Sequence, residues 1–136
     1  MLKSRVLKSF LAVFFLAYVL LVLKLTVFRS GANIQILILI PFVSLINIYK
    51  NIGLVYFSYM FFGNIGWFMP FGFLLPLIVP NINLKKIILL TFLFSFFIEV
   101  FQYVLMVGYT EIDDVILNTL GGVLGYFCLV KRKVFL

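Results

Sequence analysis

A carboxylate at Glu99 stands inside an apolar run, with the amide of Gln102 one helical turn later. Thr91, Ser95, Glu99 and Gln102 follow each other at intervals of four, four and three, which puts them on one face of a helix. The amide Asn64 precedes this stripe, and the acids Glu111, Asp113 and Asp114 and the amide Asn118 follow it. In an apolar setting such groups can serve in three ways. They can bind the amide and hydroxyl groups of a ligand, or hydrogen-bond helices to one another. Alternatively, Glu99 can act as a general acid or base, its pKa raised by burial, which makes it the candidate catalytic residue. In that case Asp113, Asp114 or Glu111 would orient a water or offer oxygen ligands to a divalent cation.

Other chemistries are excluded. The chain has no histidine, which removes Ser-His-Asp and Cys-His catalysis and every His-based metal site. Cys128 is the single cysteine, so no intrachain disulfide can form. Neither a metal nor a cofactor is expected. The 136 residues are 65% hydrophobic, 19% aromatic and 11% charged, whereas soluble domains lie near about 45–50% apolar. The net charge of +7 comes from 11 Lys and Arg against 4 acids. These basic residues cluster at the ends of apolar runs, where they anchor topology rather than bind nucleic acid.

The stripe lies in Ile87–Val107, a run long enough to cross a bilayer. A carboxyl at the centre of such a helix costs roughly 2.5–3.5 kcal/mol on insertion scales. That cost is tolerated where the group faces a protein interior, a water-filled cavity or a polar partner. Leu7–Phe28, Val55–Val79 and Val115–Val130 can also cross, the last being short enough that Lys131, Arg132 and Lys133 must snorkel. The first is basic at its start and lacks a cleavage site, and so reads as an uncleaved signal-anchor. A further apolar stretch, Ile34–Ile48, is broken by Pro41 and carries Gln35, Ser44 and Asn47. It reads as an interfacial or re-entrant segment. The expected fold is a single all-α domain over residues 1–136: an integral membrane bundle of four transmembrane helices.

Charge supports that count. With four spans and a cytoplasmic N-terminus, Lys3, Arg5, Lys8, Lys85, Lys86, Lys131, Arg132 and Lys133 all fall inside. Both termini are then cytoplasmic, while Arg29, Lys50, Glu111, Asp113 and Asp114 lie outside. Glu99 stands eight residues from Val107, and Asn64 nine from Val55, so both lie about 12–14 Å from the outer ends of their helices. Asn64, Glu99, Gln102, Asp113, Asp114 and Asn118 thus form a candidate polar pocket open to the outside. Pro70 and Pro76 bend or loosen the second span, with Gly72 between them, and Gly121 and Gly125 make a small-xxx-small packing pair. A lipid tail can enter near Gly72. The plainer readings stay open: the amides as interhelical glue, Glu99 as a lock donating to Gln102 or Asn64, and Asp113-Asp114 as a cap on the last helix.

Three stretches resemble the VanZ-like family, named for a protein associated with resistance to the glycopeptide teicoplanin. Ile40-Pro41-Phe42 with Ser44 is similar to the family's Pro-Phe segment after the first helix. Gly63-Asn64, followed by Phe68-Met69-Pro70-Phe71-Gly72-Phe73-Leu74-Leu75-Pro76, is similar to its Asn…Phe-x-Pro-x-Gly-Phe signature. Ser95 through Gln102, then Asp113-Asp114-Val115-Ile116-Leu117-Asn118-Thr119-Leu120-Gly121 and Gly125, is similar to its final block. The likeness covers about Ile40 to Val130, in order. In one respect the chain departs from the pattern. Many members carry an Arg in the loop after the third helix, whereas Gly108-Tyr109-Thr110-Glu111-Ile112 has none. Arg29 or Lys50 would have to serve any anion that such an Arg grips.

The resemblance implies a multi-pass protein of the bacterial cytoplasmic membrane and a loose link to glycopeptide resistance, without supplying a reaction. The leading expectation is binding or shielding of lipid-linked cell-wall components, or of glycopeptide antibiotics, at the outer leaflet. An intramembrane carboxylate-dependent hydrolase or transferase on a lipid-linked substrate is the alternative. A structural or assembly subunit is another. The lipid bilayer is the one firm partner, and the oligomeric state is not legible.

Overall fold

The computed structural model describes residues 2–28 and 34–134. In chain order these form helix α1 (Leu2–Thr26), strand β1 (Ile34–Ile38), helices α2 (Val43–Asn51), α3 (Leu54–Ile78) and α4 (Leu84–Val104), strand β2 (Val107–Glu111) and helix α5 (Ile112–Val134). Four stretches are long and apolar enough to cross a membrane: Arg5–Thr26, Leu54–Ile78, Leu84–Val104 and Ile112–Val130. The fold is an all-α bundle of these four helices carrying a small cap. Its exterior is apolar, while several polar side chains are buried beside the apolar core. Thr91 and Ser95 are 0% exposed, while Phe10 is 68% and Val55 86% exposed. Such a surface is stable only where hydrocarbon replaces water.

The Pro-interrupted stretch Ile34–Ile48 is not one element. Ile34–Ile38 is extended and pairs in parallel with Val107–Glu111, Ile34 opposite Val107 and Ile38 opposite Glu111. Then Ile40–Val43 makes a turn closed by the Val43 N–H and the Ile40 carbonyl at 3.4 Å. Pro41 takes the second position, and Phe42 takes the third at φ 66° and ψ −2°. This is type II geometry, in which the third position normally favours glycine. The nine residues of α2 follow. Residues 105–106 turn the chain out of α4, so Val107 belongs to β2 and the third span ends at Val104.

Both strands, α2, the C-terminal ends of α1 and α4 and the N-terminal ends of α3 and α5 share one end of the bundle. Contacts across it include Gln35 Nε2 donating to the Tyr103 carbonyl at 3.3 Å. The α3–α4 turn marks the opposite end, where Asn83 caps α4 by accepting the Lys86 N–H at 3.0 Å. α3 continues as a helix through Pro70 and Pro76.

Glycines set the α3–α5 spacing. A Cβ on Gly72 would lie 1.7 Å from the Gly122 carbonyl oxygen, and one on Gly125 would lie 2.0 Å from that of Met69. Gly121 meets the Ile65 carbonyl, and Gly122 meets Thr91 of α4. In lipid, where no hydrophobic force drives helices together, this backbone-to-backbone approach supplies the packing. Gly72 itself is therefore sealed by α5. Two apolar clusters flank the seam. Val22, Val27, Phe68 and Ile98 join α1 to α3 and α4, and Leu45, Ile65 and Leu117 fasten α2 onto α3 and α5.

Candidate functional site

The polar side chains gather at the capped end of the bundle. α4 presents Thr91, Ser95, Glu99 and Gln102 inward, and all four are buried. Glu99 accepts the backbone N–H of Glu111 through Oε2 at 3.0 Å. Its backbone carbonyl accepts the Thr110 hydroxyl at 3.3 Å. Both bonds bind the end of β2 to the C-terminal third of α4. Gln102 donates to the Thr26 carbonyl at 3.2 Å, holding the last turn of α1.

Helix α5 supplies the second set. Asp113 and Asp114 occupy its first turn, where carboxylates favour the helix dipole. Oδ1 of Asp113 accepts the Phe42 N–H at 2.6 Å, and Oδ1 of Asp114 accepts from Asn64 Nδ2 at 2.5 Å. One turn deeper, Asn118 Nδ2 donates to Ser95 Oγ at 2.8 Å. Asn64 and Asp114 are thus brought together, as are Ser95 and Asn118. Glu99 and Asp113 are each tied to cap backbone, and Gln102 to α1. Arg29 lies outside the described residues, as do the side chains of Lys131, Arg132 and Lys133. Lys50 is exposed on α2.

Glu111 ends β2 beside this set. Burial pushes its carboxyl above the usual range, a hydrogen bond from Ser44 draws it back, and the charge of Asp113 pushes it up again. Among the described residues, Gln102 Oε1, Asp113 Oδ2 and Asn118 Oδ1 are buried acceptors without a hydrogen-bond partner, as is Thr91 Oγ1. Such atoms bind strongly to any donor that reaches them, because leaving them unpaired costs about 1–3 kcal/mol each. Also among the described residues, no three acid or thiol side chains come close enough to hold a metal ion.

Two apolar cavities accompany the polar set. One, of about 350 Å³, lies between α2 and the start of α3 and is lined by Phe42, Tyr49 and Phe57 among others. The other, of about 390 Å³, lies between α1, α3 and α5 around Gly66 and Pro70. Neither is lined by Asn64, Glu99, Gln102, Asp113, Asp114 or Asn118.

Several contacts lay outside the sequence reading. Phe42 and Glu111 act here through their backbone N–H groups, which every non-proline residue carries, so no residue type marks them. Thr26 acts through its carbonyl, with the same result. Gly122 had a visible signal, since it follows Gly121 directly. The Tyr18 hydroxyl, which donates to the Trp67 carbonyl at 2.5 Å, had none.

Four apolar spans around a buried stripe of carboxylates and amides define a multi-pass membrane protein with a polar end. The VanZ/LLP1 family model matches residues 15–135, and the chain belongs to that family. It is also 40% identical over 67 residues to Protein VanZ of Enterococcus faecium. That similarity takes in 46% of this chain and 38% of the relative, so the chain spans well under two thirds of the relative's length. No solved structure matches.

Proposed function

We propose that this chain sits in the bacterial cytoplasmic membrane with its cap toward the outer leaflet. There it binds or shields a lipid-linked cell-wall component or a glycopeptide antibiotic. The orientation rests on charge: Arg5, Lys8, Lys85 and Lys86 are exposed near the ends opposite the cap, as the positive-inside rule requires of a cytoplasmic face. The ligand class rests on the family's link to teicoplanin resistance and on the chemistry of the cap. The observation that carries the reading is the gathering of Asn64, Glu99, Gln102, Asp113, Asp114 and Asn118 beneath the cap, where Asp113 Oδ2, Gln102 Oε1 and Asn118 Oδ1 are left without donors inside the chain. Sugars and peptides are rich in the hydroxyl and amide donors that these atoms lack.

A second reading has its own observation. Glu99 and Asp113 both accept backbone N–H groups of the cap, the bonding expected if the polar groups only fasten the cap in place.

One experiment separates the two. A Gram-positive host expresses wild type, Glu99→Gln or Asn64→Ala at matched membrane levels, and teicoplanin susceptibility is measured. The amide introduced by Glu99→Gln retains an oxygen for the Glu111 N–H, so the cap survives this substitution. Protection by wild type, lost in both variants, is the outcome expected of a binding site. Equal protection by all three assigns the residues to structure, and no protection by wild type overturns the antibiotic reading for this chain.

A further inference from the structure

Gly72, Gly121, Gly122 and Gly125 are each closed off by a neighbour, whereas a Cβ on Gly66 would meet nothing within 4 Å. Gly63, one turn earlier on the same face, is equally open. Glycine inside a helix is roughly 0.5–1 kcal/mol less stable than alanine, and contacts within the chain give no return for it at Gly66. What Gly66 does is line the cavity of about 390 Å³. Met69 and Phe73 extend the same wall, Tyr18 stands opposite on α1, and Cys128 closes the side on α5. The Tyr18 hydroxyl is already spent on the Trp67 carbonyl, so its aromatic ring is the part available to the groove.

The groove belongs to the membrane-facing surface. Its three helices all contain candidate spans. Phe14 on its α1 side is 55% exposed, Phe127 beyond its α5 side is 43% exposed, and Cys128 is exposed. Hydrocarbon is the medium that reaches it. The volume falls in the range of about 300–1,000 Å³ typical of built ligand pockets. Gly66 to Leu74 covers about 12 Å along α3 at 1.5 Å per residue, close to the ~15 Å of hydrocarbon in one leaflet.

We infer that this groove seats one acyl chain of a bilayer phospholipid, held in place of the side chain that Gly66 lacks. An acyl chain needs no hydrogen bond, and the exposed lining is almost wholly apolar. The site is separate from the polar cap and does not depend on what the cap binds.

The test uses phosphatidylglycerol carrying a diazirine in its acyl chain. The full chain is reconstituted in phosphatidylethanolamine–phosphatidylglycerol vesicles, and crosslinks are mapped by peptide mass spectrometry. Labelling is expected to concentrate at Met69, Phe73 and Cys128 over Phe96 and Phe97, which are 45% and 53% exposed on α4. Gly66→Leu fills the groove and is expected to lower labelling there about tenfold, equivalent to roughly 1.4 kcal/mol of chain binding. Labelling at Phe96 then stays constant, which verifies the fold, and the smaller Gly66→Ala keeps most of the groove signal. Even labelling of groove and outer face in wild type overturns the inference, whether or not Gly66→Leu reconstitutes. Groove labelling that survives Gly66→Leu overturns it too. An unlabelled groove with Cys128-to-Cys128 crosslinking between chains would make a second copy the occupant, and also overturns it.

Discussion

Asp113 holds the backbone of Phe42: the Phe42 N–H donates to Oδ1 of Asp113 at 2.6 Å, across 71 positions of sequence. Phe42 sits at φ 66° in the turn that leads into α2, a left-handed conformation that a bulky residue adopts only under constraint. The carboxylate supplies that constraint. It comes from the first turn of α5, and Leu45 and Leu117 pack the same two helices together one layer deeper.

Asp113→Ala is therefore expected to lower stability by about 1.5–3 kcal/mol, the range for a hydrogen bond to a charged group. Thermal unfolding in nanodiscs measures it. Asp113→Asn keeps an acceptor and loses less. Adding Phe42→Gly to Asp113→Ala recovers part of the loss, because glycine adopts the left-handed turn without strain.

Asn64 and Asp114 meet at 2.5 Å although 50 positions apart. A double-mutant cycle of Asn64→Ala and Asp114→Ala is expected to give a coupling energy of about 1–3 kcal/mol. A coupling near zero would mean that the two side chains contribute independently. Asn64→Asp sets two carboxylates against each other and is expected to destabilise more than Asn64→Ala.

The glycine seam gives opposite expectations at neighbouring positions. Gly72→Ala drives a methyl group into the Gly122 backbone, and since backbone cannot step aside the expected loss exceeds about 3 kcal/mol. Gly66→Ala meets only open space and is expected to stabilise α3 by roughly 0.5–1 kcal/mol. Comparing their unfolding temperatures checks both.

Glu111 makes stability depend on pH. Burial raises its folded-state pKa above the unfolded value, so the folded chain holds this proton more tightly than the unfolded chain does. Stability is then highest where the carboxyl is protonated in both states. It declines as pH rises from the ordinary carboxylate range through the raised folded value, and levels off above it. Glu111→Gln is expected to flatten that decline and to be the more stable form at neutral pH. Its backbone N–H still reaches Glu99. Unfolding of wild type and Glu111→Gln across an acid-to-neutral pH series checks the sign.

Hydropathy and spacing by themselves determined that four helices are long and apolar enough to cross a membrane and that Thr91, Ser95, Glu99 and Gln102 share a face. Both properties are local, because the length of an apolar run and the 3.6-residue period need no knowledge of neighbours. The same local information marked Pro41 as a break but could not turn Ile34–Ile38 into a strand. That run becomes β1 only because the helices bring it beside Val107–Glu111, and a strand's hydrogen bonds belong to its partner. Nor could residue types reveal that Glu99 and Asp113 would meet the backbone of Glu111 and Phe42, or that Gly72 would be sealed while Gly66 stayed open. Those outcomes depend on which backbone atoms approach from another helix, and the tertiary structure alone decides that.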